Sequence, residues 1–361
     1  MDEMKQTGEM APHKRRIRYK GRYPRRFEEK YKELQPEKYG ATVEKVMAKG
    51  STPAGMHIPI MVKEILSVLR IHPGMKGFDA TLGYGGHTRE MLKRLQQGHL
   101  YAGDVDPIES AKTRNRLAAE GFGDDILTIR LMNFCRIDEL AAEVGPFDFI
   151  LADLGVSSMQ IDNPERGFSY KNDGPLDLRL DPTQGISAAE RLAQLSVEEL
   201  EGMLVENADE PYARAISRQI LGTMRQGQKI ATTGQLHGVI EKALEKQGLP
   251  AEDLAEAVKK SSARTFQALR IDVNHEYEVL YDFLEKLPGA LAPGGRAAIL
   301  TFHSGEDRLV KQAFREGLHS GLYEDISREV IRPSAEECHR NSRAHSTKLR
   351  WAQRRQAGAI L

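Results

Sequence analysis

The chain has 361 residues, with 52 Lys and Arg against 52 Asp and Glu, 40% hydrophobic and 29% charged residues, and only two cysteines, Cys135 and Cys338. That length suits two domains or one enlarged by an insertion, and the composition suits a globular protein with a full core. A uniformly basic nucleic-acid coat, a disulfide framework, a zinc knuckle and, for want of any run of ~18 apolar residues, a membrane-spanning helix are excluded. The charged N-terminus has no apolar stretch behind it, so no signal peptide is expected, and a reducing, cytoplasmic setting is the simplest reading.

Residues 1–55 read as a basic, loosely folded arm. Lys14, Arg15, Arg16, Arg18, Lys20, Arg22, Arg25 and Arg26 alternate with Tyr19, Tyr23 and Phe27. This suits phosphates and unpaired bases, or simply a solvated tail. From residue 56 the pattern is globular. Helical spacing of Ile60, Met61, Ile65, Leu66 and Leu69 predicts a helix over 59–70, ended by Pro73-Gly74. Strands are expected at Gly77–Asp79, His99–Asp104, Ile126–Leu131 and Phe147–Asp153, with helices at Thr88–Leu95 and Pro107–Ala119. Strands alternating with helices imply an α/β fold whose parallel sheet is covered on both faces.

The alternation stops near residue 160. Ser187 to Glu190 and Ser196 to Glu199 have capping-box spacing, and Pro211 suits a first helical turn. The expectation is therefore a helical insertion over 161–265, between strands four and five of a domain made of 56–160 and 266–361. Strand five is expected at Gly295–His303, and a last strand pair near 325–332 and 346–352.

Three acids stand at expected strand ends: Asp79 before the Gly83-Tyr84-Gly85-Gly86-His87 turn, Asp104, and Asp153. Glycines let backbone approach a ligand, and a carboxylate after strand two can accept from both hydroxyls of a ribose. Thr88 stands where a dinucleotide fingerprint would have its third glycine. That disfavours a nicotinamide-dependent dehydrogenase, while the three acids together suit S-adenosylmethionine, with its ribose, ammonium and sulfonium.

Asp153-Leu-Gly-Val-Ser-Ser158, Gln160, Glu165-Arg-Gly-Phe-Ser169, Asp173-Gly-Pro-Leu-Asp177, Arg264-Thr-Phe-Gln-Ala-Leu-Arg-Ile271 and Phe302-His-Ser-x-Glu-Asp-Arg308 carry a closer likeness. With the Asp79–His87 segment, they resemble the bacterial 16S rRNA (cytosine-N4)-methyltransferase family, RsmH (MraW), over about 57–354. The resemblance implies a class I (Rossmann-like) methyltransferase sheet with a helical insertion. It also implies methyl transfer from S-adenosylmethionine to N4 of a decoding-centre cytidine, with 16S rRNA or the small ribosomal subunit as partner. It places cofactor contacts on Gly85, Gly86, His87, Asp104, Phe134, Asp153 and Gln160.

Asp153 is the candidate catalytic group, since it stands where amino-methyltransferases hold the acceptor amine. The Pro-Pro-aromatic motif of DNA amino-methyltransferases is missing. A non-catalytic RNA-binding protein that kept the fold is disfavoured by the intact Gly85, Asp104 and Asp153. No metal-ligand cluster is expected, and His303, Glu306 and Asp307 are too close in sequence to converge as a triad. Arg166, Phe168, Asp173 and Asp177 are assigned to RNA contact or loop ordering. Arg214, Arg218 and Arg225 share one helix face, as a phosphate-binding or a solvated surface. The chain departs from the family's usual residues at Asn207–Glu210, at Ser261-Ser262, at Ser342, and at Gly305, where a leucine is common.

Overall fold

The computed structural model describes residues 59–356 and 358; the basic arm expected over 1–55 lies outside the described residues. Seven strands make one sheet: β1 (Lys76–Asp79), β2 (His99–Asp104), β3 (Leu127–Leu131), β4 (Phe147–Asp153), β5 (Leu291–Thr301), β6 (Tyr323–Ile326) and β7 (Lys348–Arg354). Their spatial order is β3-β2-β1-β4-β5-β7-β6. Strands β1 to β5 are mutually parallel, whereas β7 runs antiparallel to both β5 and β6.

The central strands form because both their faces are buried. In β4, Phe147 and the run Phe149 to Ala152 are fully buried, the continuous apolar centre of a strand covered by helices on both sides. One core packs Phe78, Ile150 and Ile299 against Leu280 and Phe283; the other packs Leu100, Ile129 and Phe149 against Met61, Met91 and Leu117. The strand order reverses between β1 and β4. In such sheets, ligands bind beyond the carboxyl ends of the strands at that point.

Of the helices between β4 and β5, five form a layer apart from the sheet: Ala188–Gln194, Val197–Ala208, Ala213–Arg225, Thr233–Glu245 and Ala251–Asn274. They share a core of their own, including Leu192, Leu204, Ile216, Ile240 and Leu269. Capping boxes close the first two at Ser187/Glu190 and Ser196/Glu199, where the serine spacing places them.

Several boundaries differ from expectation. The first helix is only Val62–Leu69, because Met61 enters it with φ 57° and leaves Pro59 and Ile60 outside. Pro211 precedes its helix, which starts at Ala213 after Tyr212. Strand β5 begins at Leu291, where pairing with Phe147 across a register shift tolerates Pro293 and Gly294. It stops at Thr301 because His303 turns out to cap the following helix. The final pair is displaced to 323–326 and 348–354, and Ile331 keeps only an isolated bridge to Leu349.

Candidate active site

A cavity of about 390 Å³ opens at the carboxyl ends of β1, β2, β4 and β5, within the usual size of a small-molecule site. One end is formed by the Leu82–His87 turn, Asp104, Asn133 and Phe134; the middle by Asp153 to Ser157; the other end by Leu180, Arg270, Asn274, Glu276, Phe302 and Glu306.

The turn after β1 is built by its glycines. Gly83 and Gly85 have φ of 47° and 79°, and Gly85 is the N-cap of the helix Gly86–Leu95. A Cβ on Gly85 would lie 2.8 Å from Thr113 Cγ2, so this glycine serves helix packing and is absent from the cavity wall. Gly86 and His87 do line the cavity.

Asp104 is clamped by two backbone donors. Its Oδ2 accepts from Gly83 N–H at 2.7 Å and its Oδ1 from Asp106 N–H at 2.9 Å. Burial nevertheless pushes its carboxyl up to about 6. Phe134 stands edge-on to Phe283, with ring centroids 5.1 Å apart, and presents an apolar surface beside Asn133. Gln160 lines the cavity, but its amide is committed elsewhere: Oε1 accepts from Ser157 N–H and Nε2 donates to Asp106 Oδ2 at 3.0 Å.

The expectation for Asp79 needs correction. It is 1% exposed, accepts from Thr88 Oγ1 at 2.6 Å and from Thr81 N–H, and does not face the cavity. The threonine found in place of a third glycine is the reason, since its hydroxyl draws the carboxylate inward. Burial raises the Asp79 carboxyl above its ordinary value.

Asp153 shows an unmet hydrogen-bonding need. Its Oδ1 is buried and, among the described residues, has no hydrogen-bond partner, while Oδ2 lies 3.4 Å from His87 Nδ1. The other ring nitrogen of His87 lies 2.9 Å from the Ile60 carbonyl, which can only accept, so Nε2 carries a proton. Burial pulls the His87 pKa down, but the hydrogen bond and charge of Asp153 outweigh it, and the net shift is upward.

At the far end, Arg270 donates from Nε and Nη2 to the Glu276 carboxylate at 2.8 and 2.9 Å. Glu306 accepts from Phe302 N–H at 2.8 Å and lies beside His303. Burial works against its ionised form, yet His303 and Arg270 hold its pKa below the usual carboxylate range. Ligand atoms of Glu276, His303 and Glu306 lie within 4.8 Å of one another, a convergence the sequence did not reveal because Glu276 stands 27 residues before His303. The guanidinium on Glu276 balances that cluster. Arg270, Asn274, Glu276 and Leu180 went unassigned from sequence, because only the fold brings the end of the insertion to the sheet.

The four loop residues assigned to RNA or ordering all make ordering contacts. Arg166 Nη1 bonds buried Asp106, and Phe168 packs on the insertion core. Asp173 accepts from Gly234 N–H at 2.7 Å, and Asp177 pairs with Arg179 at 2.7 Å.

A doubly wound sheet with an antiparallel seventh strand, and a carboxylate-lined cavity where its order reverses, define the class as the S-adenosylmethionine-dependent methyltransferases. Within that class the chain belongs to the MraW methylase family, which it matches over residues 54–355. It is 66% identical over 347 residues to ribosomal RNA small subunit methyltransferase H 1 of Agathobacter rectalis, covering 96% of this chain and 99% of that one. The corresponding Lachnoclostridium phytofermentans protein is 65% identical over 341 residues, covering 94% and 93%. Ribosomal RNA small subunit methyltransferase H of a Cyanothece species is 39% identical over 302 residues, covering 84% and 96%.

Proposed function

We propose that this enzyme methylates the N4 amino group of a cytidine in the decoding centre of 16S rRNA, on the RNA or the small ribosomal subunit, in the cytoplasm. The relatives' names support the substrate. The observation that carries the chemistry is the buried Oδ1 of Asp153, unpartnered among the described residues, on a residue that lines the same cavity as Asp104 and Phe134.

The residues fit the cofactor. Asp104 would accept from the ribose hydroxyls, the Leu82–His87 turn offers backbone, and Phe134 offers an apolar face to adenine. When bound, S-adenosylmethionine supplies a methyl group on a positively charged sulfur with a neutral leaving group.

The chain's own task is to make a poor nucleophile react, since the lone pair of a cytosine amine is delocalised into the ring. Asp153 Oδ1 is placed to accept one amine hydrogen, which orients the nitrogen and stabilises the charge that develops on it. His87 holds Oδ2, so the free oxygen keeps its direction. The amine proton then has a carboxylate acceptor at Asp153. Phe302 closes over the Gly155 turn, where a Cβ would sit 3.7 Å from its ring, and gives the base a flat apolar wall. The base must be unpaired or extruded to reach this depth.

The test is mass spectrometry of small-subunit rRNA from cells lacking the protein. Loss of one N4-methylated cytidine, restored by the wild-type chain, is the expected result; an unchanged methylation pattern would overturn the assignment.

A further inference from the structure

The helices between β4 and β5 carry a basic groove that the cavity chemistry does not use. Helix Ala213–Arg225 packs beside the end of helix Thr233–Glu245, and a groove of about 360 Å³ opens between them. Arg214, Arg218 and Lys246 border it, with Gln219 and Gln247 between them and buried Ala243 beneath. Arg214 and Arg218, four residues apart, share one helix face. Both are exposed, and among the described residues neither is paired with an acid. Lys246 Nζ donates to Gln219 Oε1 at 2.7 Å, a neutral amide that positions the ammonium and leaves its charge intact.

This is unlike much of the surface. Arg89, Arg130, Arg136 and Arg340 are each matched to a glutamate: Glu120, Glu143, Glu139 and Glu336. In a chain with no net charge, attraction to a polyanion must come from local arrangement. The catalytic cavity cannot supply it. Its two arginines, Arg270 and Arg343, are bonded to Glu276 and Asp162. A substrate strand therefore needs its phosphates held elsewhere.

We propose that this groove binds backbone phosphates of the RNA substrate, remote in sequence from the residues that handle base and cofactor. The proposal rests on the rRNA reading above. Guanidinium forks match phosphate oxygens, the two glutamines add uncharged donors, and among the described residues the groove's apolar lining is limited to Ala215 and Ala243, too small to anchor a protein partner.

The test compares the full-length wild-type chain with the double variant Arg214→Gln/Arg218→Gln. A control, Arg94→Gln, removes a charge from helix Gly86–Leu95 instead. Binding to a small-subunit rRNA fragment is followed across salt concentration, and S-adenosylmethionine affinity is measured by calorimetry. Each lost phosphate contact should reduce the slope of log K against log salt by about 0.7–0.9, so the double variant should lose roughly 1.4–1.8 and the control nothing, with cofactor affinity within about twofold throughout.

An unchanged slope in the double variant overturns the proposal and leaves the groove as a solvated face or an acidic-protein contact. An equal loss in the control overturns it in favour of overall charge alone. Inorganic phosphate, added at matched ionic strength, separates the sources: selective displacement of RNA from the wild type by millimolar phosphate would make this a free-phosphate site. Failure of the function proposal reads differently, as intact RNA binding with no methyl transfer by the wild type.

Discussion

Arg166 Nη1 and Asp106 Oδ2 lie 2.7 Å apart, with side-chain exposures of 9% and 1%. Asp106 caps the helix Pro107–Ala119 through Oδ1, takes Gln160 Nε2 on Oδ2, and donates its own N–H to Asp104. Arg166 also donates to the Leu180 carbonyl at 2.8 Å. One buried ion pair thus joins the proposed ribose carboxylate to the loop that follows β4.

Replacing Arg166 with methionine strands a buried carboxylate. The expected loss is about 3–5 kcal/mol of unfolding free energy, measured by urea denaturation, together with weaker cofactor binding. A loss under about 1 kcal/mol would show that the helix N–H groups and Gln160 suffice to satisfy Asp106.

Asp153→Ala removes the only carboxylate aimed at the amine in the proposed mechanism. Single-turnover methyl transfer should fall by at least about 10²-fold in a variant whose circular dichroism matches the wild type. Near-normal turnover in the folded variant would remove Asp153 from the chemistry.

Asp104 makes cofactor affinity depend on pH. Its carboxyl titrates at about 6 in the fold, and the ionised form is the better acceptor for ribose hydroxyls. Affinity is therefore full above that value and falls as pH drops through it, by calorimetry between about pH 8 and pH 5. The stability sign is opposite: the fold binds this proton more tightly than the unfolded chain, so the Asp104 contribution to the ligand-free fold improves as pH falls. Asp104→Asn should flatten the binding profile; an unaltered profile assigns the titration elsewhere.

Gly167 and Gly174 form one backbone crossing. A Cβ on Gly167, at φ 73°, would lie 2.2 Å from the Pro175 carbonyl oxygen, and one on Gly174 would lie 2.1 Å from that of Pro164. Backbone cannot yield as a side-chain tip can. Each alanine variant should lose roughly 1–3 kcal/mol or more by thermal unfolding, with activity falling alongside. Wild-type melting of either variant would contradict this close approach.

Gly305 is explained by Tyr277. A Cβ at 305 would fall 2.0 Å from the tyrosine hydroxyl, so this chain fills with Tyr277 the space beside a residue that is usually leucine in the family. Gly305→Leu should destabilise, and Tyr277→Val should relieve it, giving a coupling above about 1 kcal/mol in a double-mutant cycle. Additive effects would dissociate the two positions.

The central strands were legible because strands buried on both faces must be apolar through their centres, as Phe149 to Ala152 are, and because glycine or proline marks their ends. The beginning of β5 was hidden, since a register shift admits Pro293 and Gly294 into a strand. Asp104 and Asp153 were legible as acids at strand ends. Asp79 shared that signature, yet it is spent inside, because strand position does not record whether a neighbouring hydroxyl such as that of Thr88 will capture a carboxylate.

Local pattern alone determined the sheet, the helical stretch after β4, and the family to which the chain belongs, because periodicity, caps and short motifs are properties of neighbouring residues. Tertiary structure decided how the polar groups were allotted. It paired Arg166 with Asp106 and Arg270 with Glu276, left Asp153 Oδ1 unmatched, and left Arg214 and Arg218 unneutralised beside Lys246. Those allotments depend on distances between residues remote in the chain, and distance sets both the strength of an ion pair and the cost of leaving a buried charge alone.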